Sequence, residues 1–190
     1  MKKISWNEFG ELVDMLYVNL SDYLKKTHQS VDLIVPILRE GGFPALALAY
    51  KLNTYKILPI QFKYMLYAGR HELRQITEFP ETSIELPNEP TIVLCDTFPA
   101  GGKTKDLAYE NIQKKFPGSK VIFASIFQDE STNLKTFECN VYAVSTKSDG
   151  STDNPFMTER GIDNVFDILL PWENEKEEEA GPKKLAYEYN

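Results

Sequence analysis

The chain has 190 residues, with 21 Lys and Arg against 28 Asp and Glu, a net charge of −7. Hydrophobic residues make up 42% and charged residues 26%, the proportions of a soluble globular chain, and the length suits one domain that needs neither disulfides nor metal to build a core. No apolar run reaches the roughly 18 residues that span a bilayer, and the acidic balance excludes a broad nucleic-acid surface while leaving room for a local anion site. The first sixteen residues carry Glu8, Glu11 and Asp14 where a secretion signal needs apolar residues. Cys95 and Cys139 make neither a disulfide framework nor a zinc spacing. A cytoplasmic protein with reduced thiols and no membrane segment is the expectation.

Ser5-Trp6-Asn7-Glu8 reads as a capping box. Phe9, Leu12, Val13, Leu16, Leu20, Tyr23 and Leu24 then recur at helical spacing, predicting an amphipathic helix of about five turns. Val31 to Leu38 is a short apolar run, read as a buried strand, and Phe43 to Leu52 as a second helix. Ile57 to Phe62 is a strand candidate. Residues 63–90 are polar, hold three prolines and lack a clear period, which reads as a long mobile loop with room for hairpin pieces. Thr91 to Leu94 is a buried strand, Pro99 to Gly102 a turn and Thr104 to Lys115 a helix. Strands are expected again at Val121–Phe127, Val141–Val144 and Ile168–Leu170. Strands alternating with helices predict an α/β fold with a mainly parallel, twisted sheet flanked by helices. From Glu173 onward six acids face three bases, so a domain over residues 1–173 and an acidic, solvated tail over 174–190 are expected.

Two glycine-bearing turns follow buried strands: Leu38-Arg39-Glu40-Gly41-Gly42, and Asp96-Thr97-Phe98-Pro99-Ala100-Gly101-Gly102-Lys103-Thr104. In open α/β sheets ligands bind at that edge. Glycine lets backbone N–H groups approach an anion, the following helix adds its positive end, and Arg39 and Lys103 add charge. Gly-Gly also serves simply to turn a chain. Asp96 can accept from sugar hydroxyls or hold a metal-bound phosphate, and Asp also caps turns. Gly102-Lys103-Thr104 matches the end of a nucleotide-hydrolase phosphate loop, but that pattern's first glycine would fall at Thr97. Cys95 reads as an inert small hydrophobe, His28 as a helix-end residue, and Phe166 and Trp172 as core residues or base-stacking ones.

VPILREGGFPALALAYKL, TIVLCDTFPAGGKTKDLA and the segment Phe166 to Glu173 (FDILLPWE), in this order and spacing, resemble the type I phosphoribosyltransferases, purine-type bacterial and archaeal members above all. The resemblance spans roughly residues 5–173. It implies the family's sheet with a small hood region, a magnesium-dependent transfer of phosphoribose from phosphoribosyl pyrophosphate to a nitrogenous base, and a homodimer. It places Leu38, Arg39, Glu40 and Gly41 at the pyrophosphate, with the Arg39 side chain nearby. Asp96 would meet the ribose hydroxyls and the metal, and Pro99, Ala100, Gly101, Gly102 and Lys103 would wrap the 5-phosphate, with Thr97, Phe98 and Thr104 in the same phosphate-binding turn. The loop after Phe62, with Lys63, Arg70 and His71, would close over the reacting centre, His71 being one candidate proton carrier. Phe166 would stack on the base and the backbone near Ile168 would read its edge.

The chain departs from that pattern at four places. Cys95-Asp96 stands where most members carry two acids. Pro99 and Ala100 replace Asp and Thr of purine-type members, so the usual proton acceptor is missing, as it is in orotate-type members. Glu40 is an extra acid beside the pyrophosphate. Asp129 aligns with the Lys that donates to 6-oxo bases, and a carboxylate only accepts; a base with an exocyclic amine, or an unusual base, is the expected partner. A noncatalytic relative that binds phosphoribosyl pyrophosphate or a nucleotide, as sensor or partner subunit, is the alternative that these departures keep open.

Overall fold

The computed structural model describes residues 1–67, 70–99, 102–129 and 137–173. Helix α1 (Trp6–Thr27) starts at the expected capping box: Glu8 N–H donates to Ser5 Oγ at 3.2 Å, and Ser5 N–H donates to the Glu8 carboxylate at 2.8 Å. It ends at His28, whose φ of 53° is left-handed. Its apolar stripe, Phe9, Leu12, Val13, Leu16, Leu20 and Leu24, is buried against the sheet.

That sheet has six strands: β2 (Leu33–Leu38), β3 (Ile60–Tyr67), β4 (Arg70–Thr77), β5 (Thr91–Asp96), β6 (Lys120–Asp129) and β7 (Cys139–Thr146), in the order β4-β3-β2-β5-β6-β7. All neighbours are parallel except the β3–β4 pair. Both faces are covered, which is why β2 and β5 read as continuous apolar runs rather than as alternation. Helices α1 and α2 (Gly42–Lys51) lie over the core of Ile34, Val93, Cys95, Ile122 and Ala124. Helix α3 (Lys103–Lys115) inserts Ala108 and Ile112 into the opposite layer, with Leu33, Val35, Ile92, Leu94 and Phe123. Asp32 pins the entry of the central pair: its N–H donates to Thr91 O and its carboxylate accepts from Thr91 N–H, both at 2.9 Å.

The stretch after Phe62 differs from the expected loop. Ile60–Tyr67 and Arg70–Thr77 pair as antiparallel strands, with Phe62 opposite Gln75 and Leu66 opposite His71. Only 78–90 lack regular structure, and Phe79, Ile84 and Leu86 pack on the α3-side core. The mixed polar and apolar residues are those of a strand pair projecting from a sheet edge, where neither face is fully covered and the alternation is blurred. Two-residue strands β1 (Lys2–Lys3) and β8 (Ile168–Leu169) pair in parallel outside the main sheet. With the short helix α4 (Pro155–Thr158) and a 3₁₀ turn at Val165–Asp167, they build the small region beside it. Among the described residues no helix is long and apolar enough to cross a membrane. The tail 174–190 lies outside the described residues.

Candidate active site

The two glycine turns leave the carboxyl ends of β2 and β5, which are hydrogen-bonded neighbours. They meet. Thr97 Oγ1 donates to Glu40 O at 3.1 Å. Gly41 sits against the end of β5 so closely that a Cβ there would lie 2.7 Å from Ile37 O and nearer still to Cys95 O. Its φ is an ordinary −61°, so glycine is required by contact with backbone and not by conformation. The N–H groups of Gly41 and Gly42 go to Ile37 O and Arg39 O at 3.0 Å each. The N–H of Gly41 is thus held by Ile37 O in the turn between β2 and α2, and what Gly41 contributes to the contact with β5 is the absence of a side chain. Arg39 and Glu40 are exposed at the mouth of this turn, and the Leu38–Arg39 peptide is cis.

Asp96 stands at the seam. It is buried, and one carboxylate oxygen accepts from Thr97 N–H at 2.8 Å. Burial pushes its pKa up to about 8; the nearby Glu40 carboxylate adds to this, and the Thr97 hydrogen bond opposes it. Lys63 on β3 is held below the usual lysine range, by burial first and by the Arg39 guanidinium second. Two carboxylates and two cations, from β3, the end of β5 and the turn after β2, thus share one electrostatic neighbourhood. Cys95 is fully buried and its thiol pKa is pushed up, by burial first and Asp96 second, which keeps it an unreactive thiol as expected.

The second turn closes through Gly102 N–H to Pro99 O at 3.2 Å, with Gly102 left-handed at φ 72°. Among the described residues no side chain caps α3, and the acid in its first turn is Asp106. Pro99 is buried, Lys103 exposed and Thr104 half-buried. Ala100 and Gly101 lie outside the described residues. In the first turn of α3, Lys105 is buried, its Nζ without a hydrogen-bond partner among the described residues and 6.0 and 5.8 Å from the ring centres of Phe123 and Phe137. Nothing in the sequence marked it, because a Lys in a charged helix reads as solvated.

Beside the seam is an aromatic wall. Phe98 meets Phe166 edge-on at 5.4 Å and Phe127 at 6.3 Å. Phe166 is 54% exposed, so one ring face is open. Its position is set by Gly150, where a Cβ would overlap the ring, and by its N–H bond to Asn164 Oδ1 at 2.8 Å. Phe98 was expected in the phosphate turn and Phe127 only in a buried strand; the pairing of β5 and β6 brings both to Phe166. Asp129 ends β6, two residues beyond Phe127 and half-buried. Ile168 is buried, and its N–H is bonded to Val165 O within the 3₁₀ turn. Trp172 is not on this wall. It stacks on Phe43 at 4.0 Å and meets Phe9 edge-on at 4.9 Å. His71 pairs with Leu66 in the hairpin, and its side chain lies outside the described residues.

No family model and no curated protein sequence matches the chain. Solved structures do. A purine phosphoribosyltransferase from Pyrococcus horikoshii is 20% identical, with a TM-score of 0.59 over 92% of this chain and 96% of that one. A hypothetical protein from Neisseria gonorrhoeae with bound ppGpp is 12% identical, with a TM-score of 0.62 over 97% and 96%. The Helicobacter pylori xanthine-guanine-hypoxanthine phosphoribosyltransferase is 16% identical, with a TM-score of 0.54 over 74% and 85%. The chain has the fold of the type I phosphoribosyltransferases.

Proposed function

We propose that the protein transfers a phosphoribosyl group from phosphoribosyl pyrophosphate to a nitrogenous base, releasing pyrophosphate. The observation that carries this reading is the contact of the two glycine turns, Thr97 Oγ1 to Glu40 O and Gly41 against Cys95 O, with Asp96 at their seam and an open aromatic face beside them. One turn holds the pyrophosphate through Leu38, Arg39 and Glu40. The other holds the 5-phosphate at the N-terminus of α3, with Thr97, Lys103 and Thr104 around it. The sugar then spans the seam above Asp96, and Phe166 stacks on the base.

In the reaction a base nitrogen forms a bond to the anomeric carbon as the bond to pyrophosphate breaks and its electron pair leaves with the pyrophosphate. Arg39 and Lys63 stabilise the charge that develops there. The seam sets the line of attack, and the β3–β4 hairpin next to Lys63 excludes water. His71 on that hairpin is the group proposed to carry away the base's proton. Magnesium fits the donor set. Asp96 and Glu40 are hard oxygen ligands whose mutual repulsion a cation relieves. No group of three or more His, Cys, Asp or Glu among the described residues could hold a metal. Diphosphate oxygens and water would complete the shell, as magnesium prefers. When bound, the ion would screen the negative charge on the leaving pyrophosphate.

Asp129, as an acceptor, selects a base that offers an exocyclic amine. The test is pyrophosphate release with magnesium, phosphoribosyl pyrophosphate and a panel of bases. Turnover with an amino base, and a KM for it raised about tenfold or more by Phe166→Ala, is the expected result. Thermal stabilisation by phosphoribosyl pyrophosphate without release from any base sinks transfer in favour of a binding role.

A further inference from the structure

Beyond Phe127 the last residues of β6 and β7 stand side by side. Asp129 is paired with Thr146, two positions after the pair of Phe127 and Val144, and a strand returns to the same face every second residue. Thr146 is 2% exposed, and its Oγ1 has no hydrogen-bond partner among the described residues. A buried hydroxyl in that state is costly, and folded chains keep few of them. Its main chain is fixed on both sides: Thr152 Oγ1 donates to Ser145 O at 2.8 Å, and Lys147 N–H donates to Ser151 O at 2.9 Å. The turn so made also seats the stacking ring. Gly150 N–H donates to Lys147 O and Val165 N–H to Gly150 O, both at 2.9 Å, and the Phe166 ring lies where a Cβ of Gly150 would be. Thr146 therefore holds an unanswered hydroxyl beside Asp129, at the foot of the turn that carries Phe166.

We propose that Thr146 is a positioning residue for base selection: its hydroxyl donates to the Asp129 carboxylate when a base stacks on Phe166, and aims the other carboxylate oxygen at the exocyclic amine of the base. The inference rests on the reading that Phe166 stacks the base and Asp129 meets its edge. The hydroxyl is buried, so the base itself does not touch it. Asp129 is half-buried, and a stacked base strips water from its carboxylate. A carboxylate that loses water needs donors in exchange, and it has room for several. Neighbouring strands stand about 4.8 Å apart. Both side chains are short, and a χ1 step between staggered rotamers closes that gap. The pair so formed holds a fixed acceptor at the base edge. A 6-amino base answers it with a donor, whereas a 6-oxo base sets a carbonyl oxygen against it, and a site built to hydrogen-bond discriminates through such mismatches.

Calorimetric binding of nucleoside 5′-monophosphates to the full chain tests this without requiring turnover. Wild type should prefer adenosine 5′-monophosphate to inosine 5′-monophosphate. Thr146→Val should lower that preference at least about tenfold, the worth of a hydrogen bond to a charged group. Thr146→Ser, which keeps the hydroxyl, should retain it within about threefold. On an Asp129→Asn background Thr146→Val should change the preference less than about twofold, because the two residues act through one contact. Equal weakening of both nucleotides by Thr146→Val, or an undiminished effect on the Asp129→Asn background, overturns the proposal. So does a valine variant that melts below wild type and is restored by serine, since the hydroxyl is then structural. A wild type that prefers the 6-oxo nucleotide overturns it and leaves phosphoribosyl transfer standing. Binding of neither nucleotide overturns it as well, and pyrophosphate release with the panel of bases then decides whether the transfer reading falls with it.

Discussion

At Gly41 a single hydrogen atom decides how two loops meet. Any side chain there meets two carbonyl oxygens of fixed strands, Ile37 O and Cys95 O, and neither can give way without moving a central strand. Gly41→Ala should cost about 1–3 kcal/mol in denaturant unfolding, the usual range for overpacking. Gly42→Ala meets only the flexible Leu38 side chain at 3.3 Å and should stay within about 0.5 kcal/mol. Equal losses at the two positions would show that the seam does not constrain the loop. Asp96 gives the second residue-scale prediction. An unfolded Asp ionises near 3.8, while the native group holds its proton to about 8. Across that window the unfolded chain has released a proton that the native state keeps, so this group's contribution makes stability fall as pH rises, complete below the lower value. Asp96→Asn keeps the acceptor for Thr97 N–H and removes the ionisation. Without divalent cation it should be more stable than wild type at pH 8 by about 2–4 kcal/mol, with little difference at pH 4, and it should lose binding of phosphoribosyl pyrophosphate. Parallel pH profiles for the two proteins would refute the assigned burial of charge. Stability given up at a ligand site is the expected trade where a carboxylate waits for a cation or a sugar.

Among the elements, α1 was legible to its cap because each signal is local: Ser5 and Glu8 are one turn apart and the apolar stripe has a single period. Ser5→Ala should cost about 1 kcal/mol of stability and leave ligand binding unchanged; a change in binding would mean that α1 positions the site as well as covering the sheet. The hairpin was less legible. Phe62, Tyr64 and Leu66 alternate with Gln61, Lys63 and Met65, but Met65 and Tyr67 break the polar face. A strand pair at a sheet edge tolerates that mixture because neither face must be wholly dry. Strands β1 and β8, of two residues each, carry too few side chains for any period, and their pairing joins Lys2 to Ile168 across nearly the whole chain. Helix α2 was ambiguous for the opposite reason: up to Lys51 it is apolar on every side, so the sequence could not say which stripe faces the sheet.

At the scale of the whole molecule, the order of strands and glycine turns was enough to predict an α/β sheet and to point at its carboxyl edge. Such runs report burial on both faces, and glycines after them report a backbone that must turn where ligands bind. Arg39, Glu40, Lys63 and Asp96 were assigned to one site only through the family resemblance; spacing alone does not group them, since their electrostatic coupling depends on β3, β2 and β5 lying side by side. The aromatic wall is the clearest case of what was hidden. Phe98, Phe127 and Phe166 come from three distant segments, and no spacing rule relates them. What the chain determined by itself was therefore everything set by neighbours in sequence: the helix caps, the buried strands, the places of the turns. What only the tertiary structure decided was which turns touch, which amides are already spent and which rings share a wall, because those depend on strand order, and strand order is chosen by the burial of the whole core at once.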